Sequence, residues 1–295
     1  MVNLIVITGP TASGKSDLAL QISKEFPIEI ISADSRQVFE YLDIGTAKPN
    51  QDEQKIVPHH FLDKVKPDEY YSAGLFGEQA YSLVSKIINR NRIPVVVGGS
   101  GLYIKALVEG LFDEETSDEL FNIKEQLQKL IHQPDSKQEL LNELQEVDPI
   151  SFEKYSDQNN RRIIRAVAYY RVNKIPISQA QIEAQQKRNI NPIYFSINHD
   201  REILYKRINN RTNQMWENGF QSEVEKILQM GYSPKLNSLD SVGYKECINY
   251  LNGDISKEVA ISEMQKFTRR FAKRQLTWIR NQTPNIEWIE PNNLD

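Results

Sequence analysis

Gly9-Pro10-Thr11-Ala12-Ser13-Gly14-Lys15-Ser16 stands between a β-branched apolar run at residues 4–8 and an amphipathic stretch beginning near Asp17. In that setting G-x-x-x-x-G-K-S reads as a strand, a phosphate-binding P-loop and a helix. The glycines let successive backbone N–H groups turn inward, the new helix N-terminus adds positive potential, and Lys15 supplies a mobile ammonium. Ser16 stands where a hydroxyl reaches a phosphate-bound Mg²⁺. The loop predicts a diphosphate or triphosphate ligand; the alternative is a tight strand-to-helix turn that binds nothing.

Outward from the loop, a helix over 17–26 leads to a second apolar run at 28–33, so the chain opens as a βαβ unit with parallel strands. Parallel strands end on one edge of the sheet, which puts Asp34 on the edge that carries the loop, where open α/β sheets bind ligands. Asp34 is either a carboxylate acting on substrate or the cap of a turn through Ser35-Arg36-Gln37. Residues 58–63 predict a third strand. Adjacent His59 and His60 would point to opposite faces of it, which predicts packing or hydrogen bonding rather than metal ligation. Tyr71-Ser72-Ala73 opens a helix to about residue 92, and a buried run at 93–97 ends in Gly98-Gly99-Ser100-Gly101-Leu102-Tyr103. A nucleotide-hydrolysing P-loop enzyme usually closes that strand with an Asp that helps hold Mg²⁺. Here the backbone can approach a ligand but supplies no carboxylate, so Asp34 suits a base in a substrate pocket better than a part in ATP hydrolysis.

Residues 114–186 are helical in pattern, with breaks at Pro134-Asp135-Ser136, Asp148-Pro149 and Lys174-Ile175-Pro176, before a buried strand at 192–198. The expected fold is α/β, a P-loop NTPase-like parallel sheet with flanking helices. Its core comprises residues 1–113 and 190–295, interrupted by a helical subdomain over 114–189. A helix from Asp200 carries Arg207 and Arg211 one turn apart, as a diphosphate clamp or an ion-paired face. Further helices open after Gly219, end at Asn252-Gly253, and run over 257–281.

The chain's 295 residues, 39% hydrophobic and 26% charged, are enough for a full globular core. Its one cysteine, Cys247, allows no intramolecular disulfide and no Cys-based zinc module, which fits a reducing compartment. With no basic-apolar leader and no run of membrane-spanning length, the expectation is a cytoplasmic protein, taken to be a monomer. A net charge of −4 excludes a uniformly basic coat, so a nucleic-acid partner requires segregated charge. The charge is segregated: residues 113–146 carry ten acids against three bases, 151–189 eight bases against three acids, and 266–280 six bases and no acid. Such runs are either solvated helix faces or an RNA surface.

Gly-Pro-Thr-Ala-Ser-Gly-Lys-Ser at 9–16, Ala-Asp-Ser at 33–35, Asp-Ile-Gly-Thr-Ala-Lys-Pro at 43–49, Gly-Gly-Ser-Gly-Leu-Tyr at 98–103, Val-Gly-Tyr-Lys at 242–245 and Ala-Lys-Arg-Gln-Leu-Thr-Trp at 272–278 together resemble the tRNA dimethylallyltransferase (tRNA isopentenyltransferase) family of bacterial type. The resemblance covers nearly the whole chain. It implies transfer of a dimethylallyl group from dimethylallyl diphosphate to N6 of the adenosine just 3′ of the anticodon in tRNA, with Mg²⁺. It further implies that Gly9, Pro10, Thr11, Ala12, Ser13, Gly14, Lys15 and Ser16 hold the diphosphate, with Ser16 near the metal. Asp34 as general base, Lys15, Ser100 and Arg211 form the implied catalytic set. Asp34, Ser35, Arg36 and Gln37, then Arg161, Arg162, Ile163, Ile164 and Arg165, then Asp240, Ser241, Val242, Gly243, Tyr244 and Lys245 match stretches that contact the tRNA anticodon stem-loop. Ser100 departs from the family's usual Thr but keeps the hydroxyl. A prenyltransferase of free adenine nucleotides, a P-loop kinase and a non-enzymatic RNA-binding module are the alternatives. The segregated basic stretches speak against the first, the missing acid after Val97 against the second, and a P-loop facing Asp34 against the third.

Overall fold

A computed structural model describes residues 1–112, 117–155, 159–183 and 188–291. In chain order the elements are β1 (Val2–Thr8), α1 (Lys15–Glu25), β2 (Ile28–Ser32), α2 (Gln51–Ile56), β3 (His59–His60), α3 (Ala73–Asn89), β4 (Ile93–Gly98), α4 (Gly101–Glu109), α5 (Asp118–Leu130), α6 (Ser136–Val147), α7 (Pro149–Lys154), α8 (Asn160–Asn173), α9 (Ile177–Glu183), β5 (Ile190–Ile197), α10 (Arg201–Glu217), α11 (Phe220–Gln229), α12 (Tyr244–Leu251), α13 (Lys257–Gln282) and β6 (Glu287–Ile289). Capping side chains start several helices where the sequence predicts them: Ser72 accepts from Leu75 N–H at 3.0 Å before α3, and Asp200 accepts from Glu202 N–H at 2.7 Å before α10.

All six strands are parallel, in the order β3-β2-β4-β1-β5-β6. Ser32 pairs with Val97, and Thr8 with both Gly98 and Ser196, so β2, β4, β1 and β5 end level with one another. That shared edge is what brings residues from distant parts of the chain to one place. On one face of the sheet Ala19, Leu18 and Ile22 of α1 pack on Ile7, Ile30, Val95 and Val97. Phe76 of α3 is fully buried, its ring centroid 5.0 Å from that of Phe61 and 4.7 Å from that of Tyr103.

Contacts divide the chain into two units, Met1–Val108 with Arg188–Asp295, and Glu109–Lys187. The first carries the sheet. The second has its own core, in which Leu120 and Leu127 of α5, Leu140 and Leu144 of α6 and Ile163 and Val167 of α8 are all buried. Its pin is Asp148, 1% exposed, whose carboxylate accepts from Ser151 N–H at 2.9 Å and Ser178 N–H at 3.0 Å and so ties α7 to α9. The expected core boundary at 113/114, and Lys187 of the basic run, lie outside the described residues.

Three departures from the sequence reading have local causes. The third strand stops at His60 because Phe61 and Asp63 take positive φ angles of 67° and 48°, and each ends an extended run. The short helix α2 rests on a capping box in which Asn50 and Glu53 serve each other's backbone N–H. Strand β6 pairs through only three residues, Glu287 to Ile289, along β5. Among the described residues no helix is long and apolar enough to cross a membrane.

Candidate active site

Residues of the Gly9 to Ser16 loop are tied to the scaffold by partners of different kinds. Gly9, Ala12 and Gly14 adopt φ of 154°, 63° and 93°, values that turn the chain tightly between β1 and α1; glycine tolerates them, and alanine pays in strain. From outside the turn, Arg207 Nε donates to Ala12 O at 2.8 Å, and a His199 ring nitrogen bonds Ser13 O at 2.8 Å. Lys15 Nζ donates to Pro10 O at 2.7 Å. With loop carbonyls engaged in these bonds and no side chain capping α1, the first-turn amides of that helix form a potential anion cradle.

Lys15 and Ser16 line a cavity together with Asp34, Gln37, Thr46, His59, Gly99, Arg211, Phe271 and Gln275. Among the described residues Asp34 is the one carboxylate of its wall. Burial lowers the Lys15 ammonium to about 8, helped by the positive charge of Arg211 and opposed by Asp34. Burial likewise pulls Arg211 down, again opposed by Asp34. Two cations and one carboxylate thus share a desolvated space, in which the cations are held in readiness for more negative charge than Asp34 supplies.

Asp34 fulfils the capping expectation with one oxygen: Oδ1 accepts from Arg36 N–H at 2.8 Å and from Gln37 N–H at 3.3 Å. Ser100 Oγ accepts from Ser35 N–H at 3.1 Å, so its hydroxyl steadies the turn that carries Asp34. Gln37 extends the wall, taking up Ser32 Oγ at 2.9 Å and donating to Ala47 O at 3.1 Å. The two arginines one turn apart on α10 separate in role, Arg207 bracing the loop from outside and Arg211 facing the cavity. His59 and His60 are hydrogen-bonded as expected, to Val57 O at 2.9 Å and Glu29 Oε2 at 2.7 Å.

The glycines after β4 make room for neighbouring protein as well as lining the cavity. A Cβ on Gly98 would lie 2.2 Å from Ala33 O, one on Gly99 2.2 Å from Gln275 Nε2, and one on Gly101 2.1 Å from Trp278 Nε1. Gly98 and Gly99 line the cavity on one side, while Ala33 and the inner face of α13 occupy the space beside them. The 43–49 segment has a comparable anchor that sequence reasoning missed. Glu223 accepts from the N–H groups of Asp43, Ile44 and Gly45 at 3.0, 2.6 and 3.1 Å, and from Tyr244 Oη at 2.6 Å. Gly45 has to be glycine because its Cβ would lie 2.4 Å from Phe220 and 2.6 Å from Tyr244.

Several residues expected at an RNA surface are packing residues instead. Ile163 and Ile164, 0% and 4% exposed, sit in the core of the second unit, because a helical stretch that exposes Arg161 and Arg162 turns the next two positions inward. Tyr244 is 1% exposed and Gly243 is buried beneath the side chain of Met264. Burial and the Glu223 carboxylate push the Tyr244 hydroxyl well above its ordinary value, which keeps it a donor. Arg161, Arg162 and Lys245 are exposed, and Arg165, Asp240, Ser241 and Val242 half-buried. Of the other bases in the same run, Arg171 is paired with Glu143 at 2.6 Å and Arg188 with Glu78, so those two belong to ion-paired faces.

Comparison with known proteins places this architecture. A family model described as IPP transferase matches residues 37–282. The tRNA dimethylallyltransferase of Acetivibrio thermocellus is 41% identical over 297 residues, covering 100% of this chain and 94% of that protein. The chain belongs to the IPP transferase family. The tRNA dimethylallyltransferase of Pelotomaculum thermopropionicum is 40% identical, with coverage of 99% and 91%. The crystal structure of a tRNA isopentenylpyrophosphate transferase from Staphylococcus epidermidis superposes with a TM-score of 0.71 at 35% identity, covering 100% of this chain and 95% of that one. A eukaryotic dimethylallyltransferase, captured acting on tRNA, superposes with a TM-score of 0.79 at 27% identity, covering 98% of this chain and 74% of that one. The family match begins at residue 37, after the P-loop, but the A. thermocellus relative spans the loop as well. In this IPP transferase the missed contributors, Gln275, Glu223 and His199, hold the site walls together with Arg207. The sequence signals for Gln275 were its place in the Ala-Lys-Arg-Gln-Leu-Thr-Trp stretch at 272–278 and its helical spacing with positions 272 and 279 on α13.

Proposed function

We propose that this IPP transferase moves a dimethylallyl group from dimethylallyl diphosphate to N6 of the adenosine just 3′ of the anticodon in tRNA, releasing diphosphate. The observation that carries the reading is the cavity in which Asp34, the one wall carboxylate among the described residues, stands with Lys15 and Arg211 at the end of the P-loop. The adenine amine is a poor nucleophile, since its lone pair is delocalised into the ring, so it needs a base to draw off its proton as the N–C bond forms. Asp34 takes that proton through the carboxylate whose Oδ1 is fixed by the turn. On the other side the allylic C–O bond breaks and its electron pair leaves with the diphosphate. The charge that develops there meets Lys15, Arg211 and the first-turn amides of α1. Ser100 acts through the Ser35 amide as a positioning residue.

The donor set fits Mg²⁺ as a substrate-borne ion: the exposed Ser16 hydroxyl is on the cavity wall, and among the described residues no group of three His, Cys, Asp or Glu side chains could hold a metal alone. Mg²⁺ suits such a site because it keeps waters and phosphate oxygens as most of its ligands. Ser16 would hold the ion there, which would supply neutralisation of the diphosphate charge. Arg161, Arg162, Arg165 and the bases of α13 supply tRNA phosphate contacts, and a base turned out of the anticodon loop reaches the cavity at small cost because it is single-stranded. The protein works as a cytoplasmic monomer. The test supplies dimethylallyl diphosphate with tRNA, AMP or ATP in turn and weighs the products; a mass gain on AMP but none on tRNA overturns the reading.

A further inference from the structure

Gln275 lies on the inner face of α13, 8% exposed, and spans two motifs that are far apart in sequence. Its Oε1 accepts from Thr11 N–H in the P-loop at 2.8 Å, and its Nε2 donates to Gly99 O after β4 at 3.0 Å. The two partners fix the amide's orientation, because an N–H offers only a proton and a carbonyl only lone pairs. Thr11 precedes Ala12, which is held at φ 63° and packed with Leu204, Ile208 and Ala272 between α10 and α13. The bond to Thr11 is therefore the polar half of an anchor whose apolar half is Ala12. Gly99 is the only residue type that admits this bridge, since any Cβ there would lie 2.2 Å from Gln275 Nε2.

We infer that Gln275 is a positioning residue for the diphosphate donor. By binding the first half of the P-loop to the end of β4, it fixes the width of the cradle in which Lys15 and Ser16 meet the leaving group. Glutamine is the side chain for this task because one end must accept and the other donate at a separation the shorter asparagine does not span. Leucine fills the space and makes neither bond. This role rests on the reading of the P-loop as the diphosphate site, and it goes beyond that reading by assigning α13 a part in donor binding.

The test compares wild type, Gln275→Leu, Gln275→Asn and Lys15→Ala by calorimetric binding of dimethylallyl diphosphate with Mg²⁺ and by steady-state kinetics in each substrate. Gln275→Leu is expected to raise Kd and KM for dimethylallyl diphosphate about tenfold or more, the scale of a small misplacement in a preorganised site. KM for tRNA should stay within about twofold, and amide exchange at Thr11 should accelerate. If the Leu variant does not fold, Gln275→Asn carries the same expectation. Wild-type donor affinity in the folded variant, or an equal rise in KM for both substrates, overturns the inference. Lys15→Ala separates the two claims: weakened donor binding there beside unaltered binding in the Gln275 variants overturns only the role of Gln275, whereas unaltered binding in all of them overturns the diphosphate reading as well.

Discussion

Asp34 Oδ1 already holds two backbone N–H groups, so the cap and the base are served by one carboxylate and can be separated by one substitution. Asn keeps the capping oxygen and loses the basicity. Asp34→Asn should therefore melt with the wild type, since Asn and Asp cap about equally well, while kcat falls by about 10² to 10⁴. Wild-type turnover at an unchanged melting temperature would remove Asp34 from the mechanism. Lys15 gives a pH signature of two signs. Burial lowers its pKa in the folded protein to about 8, below the ordinary lysine value of 10.5. Between those values the unfolded chain holds more protons, and the Lys15 contribution to stability rises with pH. Over the same range the ammonium loses its charge, and affinity for the diphosphate donor falls. Calorimetry from pH 7 to 10 should show the two trends diverging in wild type and neither in Lys15→Met; donor affinity independent of pH in wild type would contradict the assignment.

At the scale of elements, α11 and α12 act on the cavity from a distance. Glu223 of α11 collects three consecutive amides of the 43–45 segment and the hydroxyl of Tyr244 in α12, and the same segment continues into Thr46 and Ala47 of the cavity wall. Glu223→Ala leaves those amides without their acceptor and should cost about 2 kcal/mol in denaturant unfolding, on the scale of hydrogen bonds to a charged group. Unchanged stability would mean the segment is held by packing alone. Helix α8 divides its work by face. Its buried residues hold the second unit together, while Arg161, Arg162 and Arg165 stand toward its N-terminal end on the outer side. Replacing the three with Gln should weaken tRNA binding and flatten its salt dependence by roughly 0.7 to 0.9 slope units per lost phosphate contact. Affinity for dimethylallyl diphosphate should not move. An unaltered slope would assign these arginines to the fold instead.

In the whole molecule two units with separate cores divide the chain, and the cavity lined by Lys15, Asp34 and Arg211 lies entirely in one of them. Dimethylallyl diphosphate at a hundred times its Kd should stabilise that unit by about 2.7 kcal/mol. Hydrogen exchange should slow in β1, β4 and α1 and stay unchanged in α5, α6 and α8; equal protection throughout would show that the units unfold as one. The sequence by itself determined the parallel α/β core, the strand–loop–helix of Gly9 to Ser16, the helical run between β4 and β5, and the placing of Asp34 on the sheet edge where β1 and β2 end. Each of these rests on short-range signals: β-branched runs, glycine at set offsets, capping residues and breaks at proline. Only the tertiary structure decided why the glycines after β4 are glycines, which arginine of α10 enters the cavity and which braces the loop, and that Tyr244, Ile163 and Ile164 are packing residues. It also decided that Gln275 and Glu223, 264 and 180 positions from their partners Thr11 and Asp43, complete the site walls. Those facts depend on which side chain meets which across the fold, and a helix's sequence records which face is apolar but not what the opposite surface will present to it.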